Sequence, residues 1–218
     1  MDKNVSRVVP LEPEEYYHVF NHANGFENIF RAAKNYRYFL HLYLKYIPGI
    51  VDTLAYCLMP NHFHLVIRMK SEEELRCFYS GMKKPEALQS SGTLEGLCRL
   101  NSLQFSHLFN SYAQGFNKVY HRRGGVFISN FKRKKITSNE YLLNLIVYVH
   151  NNPVHHGFVK TMDDWEYSSY HALFSGRDTM LARNETLELF GGADRFREFH
   201  RNLKTFEPID EETLETFL

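Results

Sequence analysis

The spacing of apolar residues changes period along the chain, and each change marks an element. Glu15 to Asn21 (EYYHVFN) is short, aromatic and β-branched, as a strand is, and Asn24-Gly25 breaks it. Ile29 to Tyr46 carries Ile29, Ala33, Tyr36, Leu40, Tyr43 and Leu44 at helical spacing, and Pro48-Gly49 ends it. Ile50 to Leu58 and His62 to Met69 read as two strands. The tight break Met59-Pro60-Asn61 between them predicts a hairpin pair. Ser71 to Leu100 is polar and interrupted, and predicts a short helix and a connection. Leu103 to Tyr120 is helical again, with Phe105, Leu108, Phe109, Tyr112, Phe116 and Val119 as its apolar stripe. Gly124-Gly125 stops it. Val126 to Ile136 predicts a basic strand or strand and loop, and Ser138 to His150 an amphipathic helix with Ser138 as N-cap. Asn151-Asn152-Pro153 is expected to close that helix.

The resulting order, β-α-β-β-α-β with a further helix, predicts an α+β fold. It is the ferredoxin-like split βαβ arrangement, an antiparallel sheet with helices on one face. Residues 161–218 predict a C-terminal helical extension packed on a core of residues 1–160, with 71–100 as an insertion. At 218 residues the chain buries a sizeable core without staples. Its three cysteines, with no CxxC spacing, give neither a disulfide framework nor a zinc finger. No apolar run approaches the ~20 residues that cross a bilayer, so no membrane association is expected. The first residues lack a secretory pattern, and a cytoplasmic location is the expectation.

Net charge is only +1, but the charge is unevenly placed. Lys118 to Lys135 holds seven Lys/Arg and no acid, while Glu207 to the end holds five acids and no base. The basic block suits an anionic partner, and the acidic tail cancels it in the sum. Pro60-Asn61-His62-Phe63-His64 is the sharpest local feature. Residues i and i+2 of a strand share a face, so His62 and His64 present two imidazoles side by side, half of a divalent-metal site. The bland alternative is two solvent-facing histidines on an edge strand.

YCLMPNHFHLVIRMK resembles the His-hydrophobic-His strand of the single-tyrosine HUH nucleases, most closely the REP-associated tyrosine transposases and other insertion-sequence-200-like transposases. VFNHANGFENIF, FNSYAQGFNKVYHRRGGVFISNFKRKKI, YVHNNPVHHGFV and WEYSSY are similar to further pieces of that family, in family order from about Glu15 to Tyr170. The resemblance implies a single-strand DNA endonuclease and strand transferase of the nucleoid, working on single-stranded or hairpin DNA with Mg²⁺ or Mn²⁺. It implies Tyr112 as nucleophile, leaving a 5′-phosphotyrosine, with His62 and His64 as metal ligands. The nearest candidates for the family's third ligand are Asn117 and Gln114; Asn117 fits the family pattern, although a five-residue offset puts it about 140° round the helix from Tyr112. By periodicity alone Tyr112 belongs to the packed stripe.

Arg122, Arg123, Lys132, Arg133, Lys134 and Lys135, interleaved with Phe127 and Phe131, suit a single strand whose phosphates meet cations and whose bases stack. The alternative is a solvated face. Asn151 to His156 is read as a helix-ending turn, with DNA contact as its alternative. Two other functions stay open: a domesticated, sequence-specific DNA-binding protein that does not cut, and a phosphodiesterase or RNA-binding module on the same kind of sheet. A homodimer sharing active sites in trans is compatible with the family pattern.

Overall fold

The computed structural model describes residues 9–82, 92–128 and 130–202. The interruptions at 83–91 and the acidic tail lie outside the described residues. Four strands, β1 (Tyr16–His22), β2 (Val51–Leu58), β3 (His62–Met69) and β4 (Lys132–Ile136), pair antiparallel in the order β2-β3-β1-β4. That is the split βαβ order expected from the chain. Its helices are α1 (Ala33–Tyr46), α2 (Glu72–Gly81), α3 (Leu94–Val119), α4 (Asn139–His155), α5 (Arg183–Leu189) and α6 (Ala193–Arg201).

Helices cover both faces of the sheet, where one covered face was expected. Along β3, Phe63, Leu65 and Ile67 join a core with Phe39 and Tyr43 of α1 and Phe105, Phe109 and Tyr112 of α3. Val66 of β3 and Ala55 and Cys57 of β2 join a second core, with Leu142, Leu145, Ile146 and Val149 of α4. The sheet is therefore buried on both sides, so its central strand lacks the simple alternation of a half-exposed sheet. α1 and α3 pack closely because Gly115 has no side chain. A Cβ there would stand 2.6 Å from the Tyr38 ring.

α1 starts at Ala33, four residues after the expected Ile29, and two further helix boundaries differ for reasons of how the ends are completed. α3 begins at Leu94, nine residues before the expected start at Leu103, because the Thr93 side chain accepts from Gly96 N at 3.1 Å. α4 starts at its predicted cap, with Ser138 Oγ accepting from Tyr141 N at 3.2 Å. It then runs through Asn151-Asn152-Pro153 instead of ending there. Pro153 removes only the bond its own missing N–H would have made, near the end of the helix. The chain turns off at Gly157, whose φ of 70° is the left-handed conformation that glycine adopts without strain. This extra turn keeps Asn152 on the helix.

The extension from Thr161 packs on the β2 edge. Isolated bridges join Cys57 to Ser168 and Thr53 to Leu181, and Arg68 of β3 holds Glu185 of α5 at 2.8 Å. No helix among the described residues is long and apolar enough to cross a membrane.

Candidate active site

β3 opens with His62 and His64 on the face that α4 covers, with Phe63 turned into the other core. Both imidazoles are buried, and their ring centroids lie 5.0 Å apart, edge to face. β1 runs beside them in register, pairing His22 with His62 and Phe20 with His64. His22 stacks on His62 at 4.9 Å, and His18 Nε2 lies 2.9 Å from His64 Nδ1. Burial, reinforced by the neighbouring imidazoles, holds His62 down to about 3 and His64 well below the ordinary value. Both are neutral at physiological pH, the form that ligates metals.

α4 lays Tyr148 and Asn152, four residues apart and hence on one helical face, over this pair. Asn152 is fully buried, and its Oδ1 lies 2.9 Å from His62 Nε2. The Tyr148 ring meets His64 edge to face at 5.8 Å. Asn61 Oδ1 lies 2.8 Å from His62 Nδ1. A neutral imidazole carries one N–H, so His62 can donate to one of these amide oxygens only. On its other side a ring lone pair faces an oxygen at hydrogen-bond distance, which amide rotation or a shared cation would relieve. Among the described residues no three His, Cys, Asp or Glu are grouped to hold a metal. The fitting donor set is two imidazoles and one carboxamide, His62, His64 and Asn152. His22 and Tyr148 are part-exposed and His156 is exposed, so the cluster opens to solvent at that end.

A curated Haemophilus influenzae chain named for the REP-associated tyrosine transposases is 28% identical over 120 residues, 55% of this chain and 59% of the relative. A solved structure of a REP-associated tyrosine transposase bound to a REP hairpin matches with a TM-score of 0.53 at 16% identity. It covers 83% of this chain and 90% of its own. This chain is similar to the REP-associated tyrosine transposases. At its identity the solved structure shows likeness of fold, and the curated relative is matched over about three-fifths of its length. No family model matches the chain.

Within this transposase-like fold, the expected nucleophile and the expected ligands are not brought together. Tyr112 is fully buried in the core on the opposite side of the sheet, among Phe30, Phe39, Phe116 and Phe127. Its hydroxyl donates to Ile29 O at 2.5 Å, and burial pushes its pKa up, away from a nucleophilic phenolate. The cause is the α3 stripe: Tyr112 shares it with Phe105, Phe109 and Phe116, and the whole stripe docks on the sheet. Asn117, also on α3, is used structurally. Its Nδ2 donates to Gly124 O at 2.9 Å and its Oδ1 accepts from Arg122 at 3.1 Å.

The basic residues divide as well. Arg122 pairs with Glu27 at 2.9 Å, and Arg123 is exposed. On β4, Lys132 and Lys134 pair in register with Phe20 and His18 and so share the histidine face. Arg133 and Lys135 point to the other side, where Lys135 is held by Glu12 at 2.7 Å and Glu15 at 3.0 Å. Tyr148 and His18, which the sequence reading did not single out, lie beside the two histidines, and so does Asn152, which it read as part of a helix-ending turn with DNA contact as the alternative. The signal for Tyr148 and Asn152 was present in YVHNNP: a Tyr and an Asn at i,i+4, hidden by reading the Asn as the end of the helix.

Proposed function

We propose that this chain cleaves and rejoins single-stranded DNA beside a hairpin, with Tyr148 as nucleophile. His62, His64 and Asn152 would hold a Mg²⁺ or Mn²⁺ ion. The observation that carries this reading is the α4 face, which sets a part-exposed tyrosine hydroxyl-bearing ring against His64 and an amide oxygen against His62. The family resemblance, supported by the curated relative and by the hairpin-bound structure of like fold, supplies the substrate class.

In this scheme Tyr148 Oη attacks the phosphorus. A Tyr–O–P bond forms as the P–O3′ bond breaks, giving a 5′-phosphotyrosine and a free 3′-hydroxyl that can reverse the step. The phenol proton is lost and the leaving O3′ gains one. Held by His62, His64 and Asn152, a divalent ion would supply Lewis-acid polarisation of the scissile phosphate. His18, by bonding to His64 Nδ1, fixes which nitrogen of His64 faces the site. Lys132 and Lys134, on the same face, are placed to meet backbone phosphates.

The test is incubation with hairpin DNA carrying a single-stranded flank and Mn²⁺, read on a denaturing gel. A covalent adduct lost in Tyr148→Phe and kept in Tyr112→Phe supports the assignment. An adduct lost only in Tyr112→Phe would overturn it. Hairpin binding without any adduct would leave a DNA-binding protein that does not cut.

A further inference from the structure

The cavity of about 790 Å³ between α3 and the segment leading into β4 belongs to the face away from the histidines. Phe109, Phe127 and Phe131 form its apolar walls, Asn110 and Asn130 supply amides, and Arg133 supplies the cation. Its volume falls in the range of small-ligand sites, roughly 300–1,000 Å³.

Arg133 is the unusual member. It is half-buried, its Nη1 donates to Ser102 Oγ at 2.6 Å, and its guanidinium lies over Phe131 at 4.7 Å. Its Nε is buried with no acceptor, and among the described residues it has no carboxylate partner. Other part-buried cations differ. Arg68 has Asp52 and Glu185, Lys135 has Glu12 and Glu15, and Arg183 donates to the carbonyls of Ala172 and Arg177. A partly desolvated cation with no counter-charge is costly, and burial already pulls the Arg133 pKa down. An anion entering the cavity removes that cost.

A bare anion has no use for three phenylalanine walls, and an apolar ligand has none for an unpaired guanidinium. A nucleotide uses both: its phosphate takes the fork of Arg133, its base takes an aromatic wall, and the amides reach the base edge. Asn21 and His22, adjacent on β1, point to opposite faces, and Val126 to Ile128 closes the sheet edge between them, with Ile128 N bonded to His22 O at 2.9 Å. We propose that this cavity binds one nucleotide of the single-stranded flank after the strand has passed over the sheet edge at Val126–Ile128, with its phosphate on Arg133 and its base against the Phe127–Phe131 wall.

This proposal rests on the DNA reading above, and the experiment separates the two. Deoxynucleoside monophosphates and inorganic phosphate are titrated into the full chain and followed by NMR. Hairpins with and without a single-stranded flank are titrated by fluorescence anisotropy. Arg133→Gln is expected to weaken the flanked hairpin about tenfold, leave the unflanked one within twofold, and abolish monophosphate binding. Arg133→Lys is expected to recover part of the loss. Asn110→Ala, an exposed change that spares the core, is expected to shift preference among the four monophosphates. It provides the readout should Arg133→Gln fail to fold. Phosphate binding as tightly as the nucleotides, equal losses for both hairpins, or unchanged preference in Asn110→Ala would overturn the proposal. Adduct formation on the flanked hairpin at wild-type affinity in Arg133→Gln sinks the cavity and spares the nuclease. Monophosphate binding that depends on Arg133, in a chain that forms no adduct, does the reverse.

Discussion

The two faces of the sheet each carry a helix with a tyrosine, and the contrast between those tyrosines separates packing from chemistry. On one face Tyr112 sits at zero exposure with its hydroxyl committed to a backbone carbonyl. On the other, Tyr148 is part-exposed and its ring meets a buried, neutral histidine. Both belong to amphipathic helices, and both are followed closely by an asparagine. The offset differs: five residues from Tyr112 to Asn117, four from Tyr148 to Asn152. Four residues bring two side chains onto one helical face, and five carry the second well round the axis. A helix that supplies two groups to one site needs the first spacing.

The largest expected effect tests this contrast directly. Tyr148→Phe should abolish the covalent DNA adduct. Tyr112→Phe should keep it and lose about 1 kcal/mol of stability, the usual worth of one hydrogen bond, measured by urea denaturation. An adduct that survives Tyr148→Phe would return the chemistry to the other face.

The ligand set gives the next effect. His62→Ala and His64→Ala are each expected to lower metal-dependent cleavage by more than about 100-fold, beyond the loss typical of a merely supporting group. Hairpin affinity should change little, since the proposed phosphate contacts are made by lysines and arginines and not by these histidines. Cleavage near the wild-type rate in either variant, measured in single turnover with Mn²⁺, would remove the metal assignment.

Acid stability distinguishes the histidine-rich side in another way. His200 of α6 is buried against Phe196 and bonded to His150 of α4, and its pKa falls to about 4 through burial. An unfolded histidine binds a proton near pH 6.5, so between pH 6.5 and about 4 the unfolded chain holds more protons than the folded one. Stability from this group is complete above pH 6.5 and declines as pH falls through that window, by up to about 3 kcal/mol. His200→Phe should flatten the decline in thermal unfolding between pH 7 and 4. An unchanged slope would show that the packed imidazole titrates normally.

The smallest effect concerns β4. Removing Lys132 and Lys134 should lower the salt dependence of single-strand binding by about 0.7 log units per contact. Removing Lys135 should change it little, because Glu12 and Glu15 already neutralise that charge. Equal changes in both variants would show that Glu12 and Glu15 leave the Lys135 charge free to meet a phosphate.

Most of the frame is legible in the residue pattern alone. Alternation along HFHLVIRM put both histidines on one face, the breaks at Pro48-Gly49 and Pro60-Asn61 bounded the strands, and Ser138 capped α4 as its residue type predicts. The basic run marked a strand or strand and loop, and the order of elements predicted the split βαβ arrangement. What the local pattern does not contain is which helix covers which face. The stripes of α3 and α4 are both apolar with one tyrosine, so periodicity alone assigns either to the histidine side. That choice is made by the crossover from β3 to β4, which places α3 beside α1, and by the return of the chain after β4, which lays α4 across the other side. Likewise Asn152 lies over His62 only because α4 continues past Pro153 to His155, a boundary set by how its last turn is completed. Tertiary packing decided the site, because a ligand set is a meeting of side chains from strands and a helix distant in sequence.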